Sequence, residues 1–542
     1  MKTFLTPSNF NSTTAPFANL VLFSFSVTTF LRRRSQRALP HHPLLSANVQ
    51  IEGEMGKSSC SNSEPMGYSY HCNGTAVLQG KFGSWDPMIT TPPGLYYLSL
   101  AHVAALFPGF YWVEAASFSD LCSAAILRSI NGVLAVVCSV ILYDIVTHLN
   151  PTLNDRKAML HAVVLSLYPL HWFFTFLYYT DVASVTAVLA MYLASLKKHY
   201  WFSALIGAFA VIIRQTNIIW VVFVACSGII NISVTHAKHH TKTAESDVSI
   251  QHGLAYATGT NTEGFNLRRR RIVKSRDTVE HSSSSSHASS SFSSGFAHEI
   301  WSILLTLWYM KWKLLISFSP YLMVVVAFLL FVYWNGSVVL GAKEAHAVTP
   351  HFAQMLYFSL VSVLAQAPMH FTITQAVDLF QMFRKSRPLL YFQMFLALVV
   401  GLLSVHFFSV AHPYLLADNR HYPFYLWRKV IMAHWPIKYL LVPVYICSWL
   451  SMIHMLGKFR SKIWVLAYFL ATAAVLVPTP LIEFRYYTIP FYFLVLHCNN
   501  WDDQSWILTG TLYIGVNIFT MMMFLFRPFH WDHEPGIQRF IW

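Results

Sequence analysis

The sequence predicts an all-α, polytopic membrane protein with roughly 12 to 14 transmembrane helices, at about 20 apolar residues per span. Hydrophobic residues make up 55% of the 542 residues, and charged residues make up only 11%. Soluble domains carry about 25% charged residues, so a chain this apolar needs lipid as its solvent. The apolar residues form continuous runs and do not alternate with polar ones, which favours helices over a membrane barrel.

Fourteen apolar runs are candidates for these helices. The seven clearest runs are Ala124–Leu142, Leu160–Leu177, Asp181–Leu196, Leu314–Trp334, Leu389–Val410, Tyr439–Leu456 and Trp506–Phe526. The seven weaker runs are Phe17–Leu31, Leu95–Val113, Trp201–Ile213, Ile218–Ile232, Phe352–Phe371, Ile463–Val477 and Tyr486–His497.

A polar insertion separates two apolar blocks, residues 79–235 and 314–542. Residues 236–313 carry the arginine run Arg268–Arg271 and the serine run Ser282–Ser286. No apolar periodicity is visible between about 236 and 298, which predicts a disordered, basic cytosolic loop. The arginine run could also be a nuclear signal or a patch for anionic lipids. Since cytoplasmic loops of membrane proteins collect Lys and Arg, the net charge of +14 does not indicate a nucleic-acid partner.

Charge also predicts which side of the membrane holds the polar chemistry. Three further basic clusters are assigned to the cytosol with the long loop: Lys197–Lys198, Arg384–Lys385 with Arg387, and Lys458 with Arg460 and Lys462. Four polar segments then fall on the luminal side, namely residues 214–217, 341–351, 412–438 and 478–486. Their grouping on one side predicts a site that faces the lumen.

Candidate site residues lie at the ends of the apolar runs, where a charge usually lines a cavity or has a partner. Trp85 and Asp86 begin a Pro- and Gly-rich string that is incompatible with a regular helix. Asp86 could be a working carboxylate, or Trp85 could simply anchor a turn at the membrane surface. Asp181 could belong to the site or cap the helix that follows it.

Three polar groups offer donors for a phosphate or a sugar. Arg214, Gln215 and Asn217 interrupt a long apolar stretch. Asp418, Asn419, Arg420 and His421 lie among aromatic residues that could stack on sugar rings. Glu483 and Arg485 could form an interfacial ion pair or supply a second phosphate-binding arginine. The 7 cysteines show no metal-ligand spacing, so neither a metal nor a cofactor is expected.

Six strings in the same order resemble one family. They are WDPMITTPPGLY from Trp85, YYTD from Tyr178, RQTNIIW from Arg214, PYLLADNRHYPFY from Pro413, EFRYY from Glu483 and QRFIW from Gln538. The family is the dolichyl-phosphate-glucose-dependent alpha-1,2-glucosyltransferases, which add the terminal glucose to the lipid-linked N-glycan precursor.

The resemblance implies a GT-C type glycosyltransferase fold in the endoplasmic reticulum membrane, with the active site facing the lumen. The donor would be dolichyl phosphate glucose, and the acceptor a dolichyl-diphosphate oligosaccharide that already bears two glucoses. A beta-linked donor and an alpha-linked product imply an inverting transfer, in which one carboxylate takes the proton of the acceptor hydroxyl. Arginine residues would stabilise the phosphate that leaves.

Residues 1–78 depart from the family pattern. Family members carry an acidic motif, Asp-Glu before two hydrophobic residues and His, shortly before the WDP string. This chain has Glu64 as the nearest acid, in a different context. The candidate bases are therefore Asp86 and Glu64, and the missing motif predicts weak transfer by this chain. The alternatives are a catalytically impaired relative that binds lipid-linked sugar or a partner membrane protein, and a multi-pass transporter.

Overall fold

The computed structural model describes residues 89–106, 124–255, 295–341, 343–344, 348–384, 388–479, 481–498, 502–531 and 534–542. Trp85, Asp86 and Glu64 therefore lie outside the described residues. The chain divides into two compact units, one made of residues up to Gly228 together with Leu315–Trp542, and one made of Ile229–Leu314.

The described residues are almost entirely helical, as predicted. The first half contains α1 Gly94–Leu106, α2 Ala124–Leu149, α3 Asp155–Ser166, α4 Pro169–Phe174, α5 Thr180–Leu196, α6 Tyr200–Ile213, α7 Asn217–Ala255, α8 Phe296–Tyr309 and α9 Lys311–Asn335. The second half contains α10 Ala353–Ala365, α11 Ala367–His370, α12 Ile373–Arg384, α13 Pro388–Phe407, α14 Pro413–Ala417, α15 Tyr422–Leu426, α16 Ile437–Leu440, α17 Val442–Phe459, α18 Lys462–Leu476, α19 Thr488–His497 and α20 Asp503–Phe526.

Two short helical turns and two short strands complete the second half of the described chain. A π-helical turn, Trp427–Ile431, follows α15, and a 3-10 turn, Phe484–Tyr487, leads into α19. Near the C-terminus, strands β1 Phe529–Trp531 and β2 Glu534–Gln538 pair in antiparallel fashion.

Six helices of the described residues are long and apolar enough to cross a membrane. They are Ala125–Leu149, Asn217–His236, Lys311–Asn335, Pro388–Phe407, Ile437–Phe459 and Asp503–Phe526. Five shorter apolar helices accompany them, namely α1, α5, α6, α10 and α18. The prediction of an all-α, multi-pass membrane protein is confirmed, whereas the total of 12 to 14 spans stays a prediction.

The apolar run Leu160–Leu177 is not one helix, which corrects the sequence prediction. It is broken into α3 and α4 between Ser166 and Pro169. Pro169 has no main-chain N–H and its ring disfavours a helical conformation in the preceding residue, so the chain ends one helix and starts another there. The polar side chain of Asn517 then donates to the carbonyl oxygen of Leu167 at 2.8 Å.

The predicted loop 236–313 is shorter than the sequence suggested. Helix α7 continues to Ala255, and α8 and the start of α9 occupy the other end of the predicted loop. Residues 237–255 contain no proline, and extending an existing helix avoids the cost of nucleating a new one. Residues 256–294, which hold the arginine and serine runs, lie outside the described part of the chain.

The first unit has α19 as its most deeply buried helix. All ten residues of α19 are buried, and Phe491, Tyr492, Phe493 and Leu494 have no exposed surface. Around it, Trp220 stacks on Phe493 with ring centroids 5.2 Å apart. Because α19 is fixed along its whole length, the 3-10 turn that precedes it is held in place at one end of this unit.

Gly94 brings the start of α1 against the end of α6. A Cβ atom on Gly94 would lie only 2.6 Å from the carbonyl oxygen of Ile212, so no larger residue fits at this contact. The contact places the segment Ile89–Gly94 beside the turn that follows α6 at Ile213. Two of the polar strings found in the sequence therefore become neighbours.

Candidate functional site

The polar segments predicted to share one side of the membrane meet at one end of the first unit. Gln215 donates from its side chain to the carbonyl oxygen of Thr90, which also accepts from the main-chain N–H of Leu340 at 3.2 Å. The main-chain N–H of His351 donates to Val477 at 2.8 Å. These bonds join the segments around residues 90, 215 and 340 to one another, and residue 351 to residue 477.

A quartet of charged residues forms the first part of the candidate site. Asp181 accepts a hydrogen bond from Arg214 at 2.9 Å, and its other oxygen lies 3.6 Å from Arg485. Arg485 also donates to Glu483 at 2.5 Å. The four side chains are only 8% to 13% exposed, and the two positive and two negative charges balance.

The position of Asp181 decides between its two predicted roles. The residue lies in the first turn of α5, whose N-cap residue is Tyr179, and no side chain caps this helix end. Asp181 therefore pairs with arginine and does not cap the helix. An acidic residue in a first turn is also stabilised by the helix dipole.

Aromatic rings surround the arginines of the quartet. The guanidinium of Arg485 lies over the rings of Phe174 and Tyr179, at 5.6 and 5.5 Å. The guanidinium of Arg214 lies over the ring of Tyr486 at 5.7 Å. Burial alone would lower the pKa of Arg485, but Glu483 and Asp181 outweigh it and hold that pKa above its ordinary value. Arg485 is thus a permanent cation.

Two buried atoms of the quartet have no hydrogen-bond partner among the described residues. They are Oδ2 of Asp181 and Nε of Arg485. A buried polar atom without a partner is costly, and such atoms concentrate where a ligand or water binds. Arg485 thus retains a donor that Glu483 and Asp181 do not use.

The loop Asp418–His421 forms the second part of the site. Arg420 donates from Nε to Oδ1 of Asp418 at 2.9 Å and from Nη2 to Oδ2 at 2.7 Å, a two-point pairing of the kind that fixes both side chains. Burial alone would raise the pKa of Asp418. The hydrogen bonds from Arg420 and the charges of His421 and Arg420 outweigh burial, so this pKa lies below its usual value.

His421 is held in a defined orientation beside this pair. Its Nδ1 lies 3.0 Å from the main-chain carbonyl oxygen of Trp542, which can only accept, so Nδ1 carries a proton. Burial lowers the pKa of His421, against the opposing effect of Glu483 and Asp418. The other ring nitrogen, Nε2, lies 3.5 Å from Oδ2 of Asp418.

The chain near the C-terminus folds back onto this loop. Gln538 accepts from Nη1 of Arg420 at 3.0 Å, and Trp531 donates from Nε1 to Asn419 at 2.7 Å. The sequence marked Gln538–Trp542 as a motif of the family, but it gave no indication that this segment contacts residues 418–422. Gln538, Trp531 and Trp542 are the site residues that the sequence alone did not reveal.

The remaining candidate residues have different surroundings. Asn217 is fully buried, and its amide donates to Ser184 and to the carbonyl oxygen of Ala210, both at 2.8 Å. Gln215 is 5% exposed, and its side-chain amide donates to the carbonyl oxygen of Thr90. These two amides hold α5, α6 and the segment before α1 together, next to the quartet.

The fold and the site together define a multi-pass membrane protein with a charged, aromatic-lined site at one end of its helices. The model of the DIE2/ALG10 family matches residues 69–496. The chain belongs to this family, and the resemblance seen in the sequence motifs is confirmed.

Named relatives give the same result. A protein of Arabidopsis thaliana named Dol-P-Glc:Glc(2)Man(9)GlcNAc(2)-PP-Dol alpha-1,2-glucosyltransferase is 55% identical over 85% of this chain and 91% of its own length. Proteins with the same name from Mus musculus and Yarrowia lipolytica are 31% and 28% identical, each over 86% of this chain and 90% of their own length. No solved structure matches the chain.

Proposed function

We propose that this protein transfers glucose from dolichyl phosphate glucose to the diglucosylated lipid-linked oligosaccharide and forms the terminal alpha-1,2-linked glucose. The observation that carries the proposal is the 55% identity to the Arabidopsis glucosyltransferase over nine-tenths of that protein. The substrates are those named for the relatives, a donor and an acceptor that are both linked to a lipid. The protein acts in the endoplasmic reticulum membrane, with its site facing the lumen.

The quartet is suited to bind the donor phosphate. Arg485 is a buried cation with one donor that no described residue accepts from, and arginine binds phosphate through paired N–H groups. Arg420, the other arginine predicted for this role, has two of its nitrogens engaged by Asp418. We therefore assign the donor phosphate to the Arg485 side of the site, where a cation stabilises the leaving phosphate without donating a proton.

The aromatic residues around the Asp418–His421 loop are suited to bind sugars. Tyr422, Tyr425 and Phe540 form one ring cluster beside His421, with centroid distances of 6.0 to 6.4 Å from Phe540. Flat apolar rings beside hydrogen-bonding groups suit a sugar, which has both apolar faces and hydroxyls. The base for an inverting transfer is assigned to Asp86, because Thr90, four residues later in the sequence, is fixed at the same end as the quartet.

Complementation tests the proposed activity. Expression in cells that lack this transferase and accumulate the diglucosylated precursor should convert that precursor to a species with one more hexose, measured by chromatography of the released oligosaccharides. Cells that carry the empty vector serve as the negative control, and cells that express the Arabidopsis relative as the positive control. A chain that is present in the membrane but leaves two glucoses on the precursor would favour a non-catalytic lipid-linked sugar binder.

Glycosylation tags test the orientation. A tag inserted at about residue 265 should remain unmodified, because the basic loop is assigned to the cytosol. A tag at about residue 415, beside the Asp418–His421 loop, should gain a glycan that a glycosidase removes. Modification at 265 together with an unmodified tag at 415 would reverse the orientation and place the site in the cytosol.

A further inference from the structure

We propose that residues Phe529–Trp531 and Glu534–Trp542, here called the C-terminal strap, position the Asp418–His421 loop for the donor, with Gln538 as the main positioning residue. The inference rests on the proposed function, since that function supplies the donor that the loop meets. Neither candidate base lies in the strap. Among the described residues, no acidic side chain of the strap contacts the quartet.

Main-chain bonds attach the strap to the loop. The N–H of Ile541 donates to the carbonyl oxygen of Arg420 at 2.9 Å, and the N–H of Tyr422 donates to that of Ile541 at 3.2 Å. These two bonds form a parallel bridge between His421 and Ile541. The loop backbone is therefore fixed on both sides of His421 by residues more than a hundred positions later in the chain.

Side chains of the strap contact Asn419 and Arg420, the two residues that follow Asp418. Gln538, only 6% exposed, accepts from Nη1 of Arg420. Trp531 donates to Asn419, and its ring lies 4.6 Å from the guanidinium of Arg420. Asp418, Gln538 and the Trp531 ring thus contact Arg420 from three directions, which leaves one orientation for its guanidinium plane.

The strap also joins the two parts of the site. The ring of Trp542 lies 4.9 Å from Tyr422 in the loop and 6.0 Å from Phe484, the residue between Glu483 and Arg485. Close to Trp542 in the sequence, Arg539 ties the strap to α20, because it donates to the carbonyl oxygens of Phe524 and Leu525 at 2.7 and 3.1 Å. A movement of the strap would therefore change the distance between the loop and the quartet.

Hydrogen exchange and donor kinetics test the strap together. Gln538→Met removes the acceptor for Arg420 at similar length, while Gln538→Glu keeps an acceptor. In the purified full-length protein, Gln538→Met should speed amide exchange in peptides covering residues 418–424 and raise KM for dolichyl phosphate glucose about tenfold, the scale of one hydrogen bond to a charged group. Gln538→Glu should stay near the parent in both measurements.

Two controls keep the test decisive. Arg527→Gln, at an exposed residue just before β1, should change neither exchange nor KM. Trp531→Phe, which keeps a ring and loses the donor to Asn419, provides a milder variant should Gln538→Met fail to fold. Faster exchange with an unchanged KM, or no change in either, would overturn the positioning role. If the parent protein transfers no glucose, the exchange result still decides whether the strap holds the loop.

Discussion

Asp86→Asn is expected to lower the rate of glucose transfer about 100- to 10,000-fold, which is the usual contribution of a general base. The amide keeps the shape of the side chain but cannot take the proton of the acceptor hydroxyl. The rate is measured in membranes supplied with radiolabelled dolichyl phosphate glucose and the diglucosylated acceptor, and divided by the amount of protein found by immunoblot. The KM for the donor should change far less than kcat.

Comparison with Glu64 separates the candidates for the base. Glu64→Gln should leave transfer close to that of the parent chain if Asp86 is the base. A large loss in Glu64→Gln with little loss in Asp86→Asn would assign the base to Glu64. A chimera in which residues 1–78 are replaced by the corresponding start of the Arabidopsis relative adds a third arm. If only the chimera transfers glucose well, the base is an acidic residue of the motif found in the relatives, and Asp86 is not the base.

Asp181→Asn is expected to lower the free energy of unfolding by about 3–5 kcal/mol, the scale for removing one partner of a buried ion pair. Arg214 would lose its carboxylate partner, and Arg485 would keep only Glu483. The change is measured as a lower thermal midpoint in detergent and as a lower steady-state amount in the membrane.

Asp144→Asn is the matched control for this prediction. Asp144 pairs with Lys197 at 3.0 Å, but their side chains are 39% and 35% exposed. Exposed pairs contribute about 0–1 kcal/mol, so the thermal midpoint should hardly change. The double variant Asp181→Asn/Arg214→Gln removes both partners and should recover part of the lost stability. Equal effects of Asp181→Asn and Asp144→Asn would show that the quartet does not stabilise the fold.

The sequence predicted the individual residues of the quartet better than their arrangement. Asp181, Arg214, Glu483 and Arg485 were each found as polar residues at the ends of apolar runs. The Glu483–Arg485 pair was one of two alternatives drawn from the sequence. The pairing of these residues with Asp181 and Arg214 could not be predicted, because it depends on how α5, α6 and α19 pack. The alternative that Asp181 caps its helix was reasonable, since Asp favours helix starts, but the N-cap residue is Tyr179 and Asp181 pairs with Arg214.

Helix boundaries were predicted less well, for two separate physical reasons. The run Leu160–Leu177 is mainly apolar, but Pro169 interrupts the helix regardless of hydrophobicity. The polar stretch after His236 lacks apolar periodicity, yet α7 continues through it to Ala255 because no residue there stops a helix already formed. Hydrophobicity identifies the segments buried in lipid, whereas these ends depend on local backbone chemistry.

The long separation between Arg420 and Gln538 has a consequence for biosynthesis. The two residues are 118 positions apart, and ribosomes add about 5–20 residues per second, so Gln538 is made about 6–24 s after Arg420. Throughout that interval the nascent loop lacks the partners that fix Asn419, Arg420 and His421. A ribosome that stalls within α20 would leave a chain whose earlier helices have entered the membrane. The loop of that chain would lack its contacts with Trp531, Gln538 and Trp542, which follow α20.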